Sequence, residues 1–248
     1  MKVLSVFNIK GGVGKTATAV NLAYYLASAG KKTLLVDLDP QGAAGFYFRV
    51  RAKASARGRS LLEGRKTVFS LIRESDYENL DVLPAARGFR NLDRHLDHEE
   101  RKKRRLLPVF RRLGTRYDVI IVDCPPHFGL LSENVFAASD TVLVPVVPSV
   151  LSEQALEQLR TFFSGRSRSS VKIVPFFSRV DQRKKLHRET VSKKLIGETV
   201  FLTTTVPDSS IVERMGIERR PLLAYAPRSR AGIAFQNLAR ELEETGRL

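Results

Sequence analysis

Residues 10–16 read Lys10-Gly11-Gly12-Val13-Gly14-Lys15-Thr16, and this heptapeptide decides the fold. Before it, residues 3–8 form a short apolar run rich in β-branched side chains; after it, residues 16–29 place apolar side chains at helical spacing until Gly30. Strand, glycine loop and helix in that order are the setting of a phosphate-binding loop. Glycines let backbone N–H groups turn in around phosphate oxygens, and the following helix contributes the positive end of its dipole. In such a loop Lys15 reaches the β- and γ-phosphates of a nucleotide, the Thr16 hydroxyl ligates Mg²⁺, and Gly11, Gly12, Val13, Gly14 and Ala17 form the cradle.

Working outward, residues 32–37 form a second strand in which Thr33, Leu34, Leu35 and Val36 are bounded by charge, as expected when both faces of a parallel sheet are covered. Further strands are expected at residues 80–83, 119–122, 141–147 and 171–177, with helices near 106–113, 130–138 and 152–164. This alternation implies a three-layer, doubly wound α/β fold with a mostly parallel sheet and phosphate-loop architecture, as one domain over residues 1–248. A last helix at residues 231–244 turns Ile233, Phe235, Leu238, Ala239 and Leu242 to one side and is expected against the sheet edge.

Acidic side chains end two of these strands. Asp37 and Asp39 leave the carboxyl end of the second strand beside the phosphate loop, where carboxylates can hold Mg²⁺ or water. Residues 117–126, YDVIIVDCPP, form a buried strand that ends in Asp123, placed to hold Mg²⁺ through water. Cys124 beside it reads as a small buried apolar residue, and as the only cysteine it excludes an intramolecular disulfide framework. A reducing, cytoplasmic setting fits, and the first residues read as neither signal peptide nor transmembrane helix.

The loop's extra lysine, Lys10, makes KGGVGKT resemble the deviant Walker A motif of the ParA/MinD superfamily. DLDPQG at residues 37–42, the segment 117–126, AASDTVLVPVVPS at 137–149, FSRVDQRKKLHRE at 177–189 and residues 205–232 extend the resemblance, specifically to ParA/Soj-type partition ATPases, over most of the chain. The resemblance implies that Lys10 reaches the nucleotide of a second subunit in an ATP-dependent homodimer, much as an arginine finger acts in trans. It implies that Asp39 orients or activates the attacking water, that Asp37 supports the Mg²⁺ shell, and that Arg179, Pro207 and Asp208 enclose the adenine. The chain departs from the family pattern at Ala17 and Ala43, where Thr and Asn are usual, which bears on the rate of hydrolysis. A single thiol per chain argues against the iron–sulfur branch of the superfamily.

Lys and Arg number 42 against 26 Asp and Glu, a formal charge of +16, which points to a polyanionic partner. Arg183, Lys184, Lys185, Arg188, Lys193, Lys194, Arg214, Arg219, Arg220 and Arg230 concentrate in the carboxyl-terminal third, the region with which ParA-like dimers bind DNA without sequence preference. Two further basic segments, 49–66 and 95–112, are read as a solvated loop and an exposed helical face, with polyanion contact as the alternative. The expected function is chromosome or plasmid partition with a ParB-like or cargo-adaptor stimulating partner and a nucleoid-associated location. Positioning of a non-DNA cargo on the nucleoid is the alternative. A MinD-like membrane role fits less well, because the tail ARELEETGRL is acidic and no direct membrane binding is expected.

Overall fold

The computed structural model describes residues 1–53, 58–62, 65–97, 104–164, 171–193, 195–196 and 199–248. Its strands are β1 (Lys2–Val6), β2 (Thr33–Asp37), β3 (Arg73–Glu74), β4 (Leu80–Leu83), β5 (Val119–Asp123), β6 (Thr141–Val146), β7 (Lys172–Val180), β8 (Leu195–Ile196), β9 (Thr199–Val200) and β10 (Thr205–Pro207). An eight-stranded sheet runs β10-β7-β6-β1-β5-β2-β4-β3, and β8 and β9 form a separate two-stranded sheet. Pairing in the large sheet is parallel apart from β3 against β4.

Helices α1 (Lys15–Ser28), α2 (Ala43–Tyr47), α3 (Gly58–Leu62), α4 (Arg65–Leu71), α5 (Leu92–Asp97), α6 (Leu106–Leu113), α7 (Leu130–Ala138), α8 (Val150–Ser164) and α9 (Lys185–Lys193) connect the strands. Short helices α10 (Ser210–Glu213), α11 (Met215–Glu218) and α12 (Leu222–Tyr225) precede the long α13 (Arg230–Glu244). Alternate residues of β5 enter opposite cores: Ile120 and Val122 join one layer, Val119 and Ile121 the other. This period of two on a strand buried throughout produces the three-layer fold expected from the sequence.

Helix α1 ends where the sequence puts Gly30. With Gly30 at φ 84°, its N–H bonds the Ala27 carbonyl and the Lys31 N–H bonds the Leu26 carbonyl, a Schellman ending that turns the chain into β2. β1 lies between β5 and β6; the β1–β2 crossover runs towards one edge of the sheet and the β5–β6 crossover passes β1 towards the other, which opens a crevice at the carboxyl end of β1. Into that crevice the register sets the ends of neighbouring strands side by side, Val6 opposite Asp123 and Asp37 opposite Asp123.

Some expectations change. β7 runs on to Val180, past the expected end at Phe177, and so carries Ser178 and Arg179 to the mouth of the crevice. α13 does pack on edge strand β10 and on α1, but Ile233 is exposed. It precedes Phe235 by two residues, about 200° round the helix, and faces water. The stretch at 49–66, expected as a loop, contains α3 and the start of α4, with residues 54–57 and 63–64 outside the described residues. Most of the basic run at 99–105, like Lys194, also lies outside them. Cys124 is wholly buried and its thiol is pushed well up by that burial, while the nearby His127 imidazole lies 3.4 Å from the Asp93 carboxylate.

Candidate nucleotide site

The phosphate loop is held from below by Asn8, which is buried at the end of β1. Its amide donates to the Pro145 carbonyl (2.8 Å) and its side-chain oxygen accepts from the Lys10 N–H (2.9 Å). Gly12 and Gly14 adopt φ of 71° and 95°, which side-chain-bearing residues disfavour. A β-carbon at Gly14 would also lie 3.0 Å from the Ser178 hydroxyl. The Lys15 ammonium donates to the Lys10 carbonyl at 3.1 Å. Burial lowers its pKa, while Asp123 and Asp39 pull it back up.

The carboxylates behave differently from one another. Asp123 is fully buried, and neither of its oxygens has a hydrogen bond of normal geometry. Burial raises its pKa to about 7, against the pull of Thr16 and Lys15. An unsatisfied buried carboxylate beside a P-loop hydroxyl is a donor set suited to a hard divalent cation. Asp37, also buried, is engaged: one oxygen accepts from the Asp39 N–H (3.1 Å), the other from Ala44 N–H (3.1 Å) and Gly45 N–H (3.2 Å). Its carboxylate thus caps the first turn of α2, and its pKa is raised well up by burial and by Asp123. The direct support of Mg²⁺ expected of Asp37 therefore competes with these three bonds. Asp39 stays partly exposed. Among the described residues no three His, Cys, Asp or Glu side chains converge as a protein-only metal cage. Such convergence is unnecessary for Mg²⁺ that shares its shell with phosphates and water.

A cleft of about 360 Å³ joins these parts. Gly11, Gly12, Gly14, Lys15, Thr16, Ala17 and Asp39 line one side, and Arg179, Pro207 and Asp208 the other. Arg179, at φ 53°, spans the mouth: Nε donates to Asp208 Oδ1 and Nη1 to the Gly12 carbonyl, both at 2.9 Å. Val13 is buried beneath the loop. Lys10 lies outside the cleft lining, and its ammonium sits 3.4 Å from the hydroxyls of Ser149 and Ser152 at the start of α8.

A family model described as an AAA domain matches residues 1–172. The sporulation initiation inhibitor protein Soj of Bacillus subtilis is 32% identical over 260 residues, covering 99% of each chain. The chain belongs to the ParA/Soj-type P-loop ATPases. The chromosome-partitioning ATPase Soj of Treponema pallidum is also 32% identical, over 97% of this chain and 96% of that protein. Among solved structures, cobyrinic acid a,c-diamide synthase from Mycobacterium smegmatis with bound ATP analogue and magnesium superposes with a TM-score of 0.82 at 25% identity, over 100% of this chain and 96% of that one.

In this ParA/Soj-type ATPase the basic residues singled out by sequence are spread over α9, the α10–α12 segment and the start of α13, and several are already engaged. Arg183 makes a bidentate pair with Asp181, holding that carboxyl down to about 2. Lys185 lies 3.7 Å from Glu189 and Arg188 donates to the carbonyls of Gln182 and Arg183. Arg214 and Arg220 share Glu218. Arg219 lies over the Phe46 ring, while Arg230 is exposed at the start of α13. Sequence reasoning missed Tyr47, Ser178, Ser209, Val212, Glu213 and Phe235 as cleft residues. Ser178, Ser209, Val212 and Glu213 lie in segments that carry the resemblance but were given no role there, and only the meeting of α2, β7, α10 and α13 at the crevice brings all six together.

Proposed function

We propose that this ATPase is an ATP-dependent dimerisation switch that binds DNA without sequence preference and acts in chromosome or plasmid partition. The observation that carries this reading is the separation of the two loop lysines. Lys15 lines its own cleft, whereas Lys10 is held outside it on the serines of α8. A cation in that position is free to serve a nucleotide bound by a second copy, where it would offset charge developing during phosphoryl transfer.

Within one subunit the loop N–H groups and the positive end of α1 hold phosphate oxygens, and Lys15 supplies charge from a partly desolvated site. Thr16 and Asp123 would hold Mg²⁺, which when bound neutralises the phosphates and orients them. Asp39 orients the attacking water from the open side of the cleft, and Asp37 ties residues 37–42, the switch segment, to α2, the switch helix. Arg179, Pro207 and Asp208 enclose the base. Hydrolysis is slow and serves as a timer, accelerated by a ParB-like or cargo-adaptor partner.

DNA contacts come from Lys and Arg of the carboxyl-terminal third, and dimerisation multiplies weak contacts by effective concentration. The likeness to the chromosome-partitioning ATPase Soj of Treponema pallidum supports the partition role, and a nucleoid-associated location belongs to the same proposal. No helix among the described residues is long and apolar enough to cross a membrane. In α13, Phe235, Leu238, Ala239 and Leu242 are buried against the body of the protein, so this helix lacks the free apolar face that lipid adsorption requires.

Light scattering with a non-hydrolysable ATP analogue and Mg²⁺ tests the switch. Wild type should double in mass, and Lys10→Ala should bind the analogue yet stay monomeric. A wild-type monomer at saturating analogue would remove the mechanism.

A further inference from the structure

α2 begins four residues after Asp39 and touches the nucleotide cleft on one side, where Ala43 and Tyr47 line it. Its other side faces the α10–α12 segment. There the Arg219 guanidinium lies 4.7 Å from the centre of the Phe46 ring. Phe46 itself does not line the cleft and is 46% exposed.

Two features of Arg219 are unusual. Its backbone is left-handed, at φ 48° and ψ 48°, a conformation that suits glycine and strains an arginine. Its Nε is buried without a hydrogen-bond partner, so the side chain is held chiefly by the aromatic face. The flanking Arg214 and Arg220 are steadied instead by Glu218. A strained arginine held by a ring on the switch helix is poised to follow that helix.

We infer that Phe46 is a positioning residue for Arg219: the ring–guanidinium contact couples the switch helix, whose first turn is fastened to Asp37, to the basic surface of α10–α12. Movement of the segment 37–42 as it closes on a nucleotide is thereby transmitted to Arg219. That this surface meets DNA rests on the function proposed above; the coupling itself does not.

Amide hydrogen exchange and DNA affinity separate the two. Measurements use the full chain with Mg²⁺ and either ADP or a non-hydrolysable ATP analogue, in wild type, Phe46→Ala and Phe46→Tyr. In wild type the analogue should change exchange in residues 214–220 relative to ADP. Phe46→Ala should bind both nucleotides as wild type does yet lose that change, and Phe46→Tyr, which keeps a ring, should restore it. By fluorescence anisotropy on random-sequence duplex, the ratio of DNA affinities between analogue and ADP should fall ~2–5-fold in Phe46→Ala, the scale of one exposed ring–cation contact. Arg219→Gly, better suited to the left-handed backbone, should fold without loss of thermal stability and show the same fall. An exchange response at 214–220 that is absent in wild type, or that persists in Phe46→Ala, overturns the coupling. A normal exchange response with nucleotide-independent DNA affinity leaves the coupling standing and overturns the DNA reading instead.

Discussion

Removing the charge of Asp123 should stabilise the metal-free protein. The group is wholly buried at the end of β5 with neither oxygen in a hydrogen bond of normal geometry, and burial, against the pull of Thr16 and Lys15, lifts its pKa from 3.8 to about 7. Each unit corresponds to ~1.4 kcal/mol, so keeping the group ionised at pH 8 costs about 4 kcal/mol relative to the unfolded chain. Because the folded pKa lies above the unfolded one, its favourable contribution is complete below about pH 4. It is lost as pH rises towards 7. Asp37, its neighbour across the β2–β5 register, has its pKa raised by the same burial and by Asp123, so the titration belongs to the pair. In Asp123→Asn the amide is still a buried polar group, which reduces the expected gain to ~1–3 kcal/mol at pH 8. Urea unfolding in chelator at pH 5 and pH 8 measures it. The variant should gain at pH 8, show a flatter pH profile, and lose the extra stabilisation that Mg²⁺ with nucleotide gives wild type. A variant less stable than wild type at pH 8 in chelator would refute the reasoning, because the carboxylate would then have a stabilising partner in the core.

Gly14→Ala forces φ 95° on a residue with a β-carbon and crowds Ser178, so it should cost ~1–3 kcal/mol in thermal or urea unfolding and weaken ATP binding in calorimetry. Native protein should leave Cys124 unreacted with an aromatic disulfide reagent and release one equivalent only in denaturant, since the thiol is buried and its pKa raised; rapid native labelling would contradict that burial. Asp39→Ala should keep nucleotide affinity while phosphate release falls ~10²-fold or more, the usual weight of a positioned acid–base group; unchanged turnover would take that role away from Asp39. Arg183→Glu combined with Arg188→Glu should weaken binding equally to duplexes of different sequence and make log affinity less steep against log salt by about two units; unaltered affinity would move the contact surface elsewhere.

Most of the framework was legible in residues 10–16 and the buried strand runs, because backbone φ preferences and side-chain periodicity are short-range properties that a sequence displays directly. The bounds expected for β4, α6 and α7 coincide with those observed, and Asp37 and Asp123 were placed correctly at strand ends. The partners of those side chains were not legible. That Asp37 caps α2 could not be read from a strand-exit motif, nor could the seat of Lys10 on serines roughly 140 residues away. Arg179 reaches Gly12 across 167 positions only because β7 continues to Val180 and the crossover order sets β7 two strands from β1, with β6 between them. The chain's own residues determined a phosphate loop, a parallel sheet and carboxylates at its carboxyl edge. Which charges are satisfied, which are free for a metal, and which arginine packs against α2 were decided by packing, since hydrogen bonds and desolvation depend on neighbours in space.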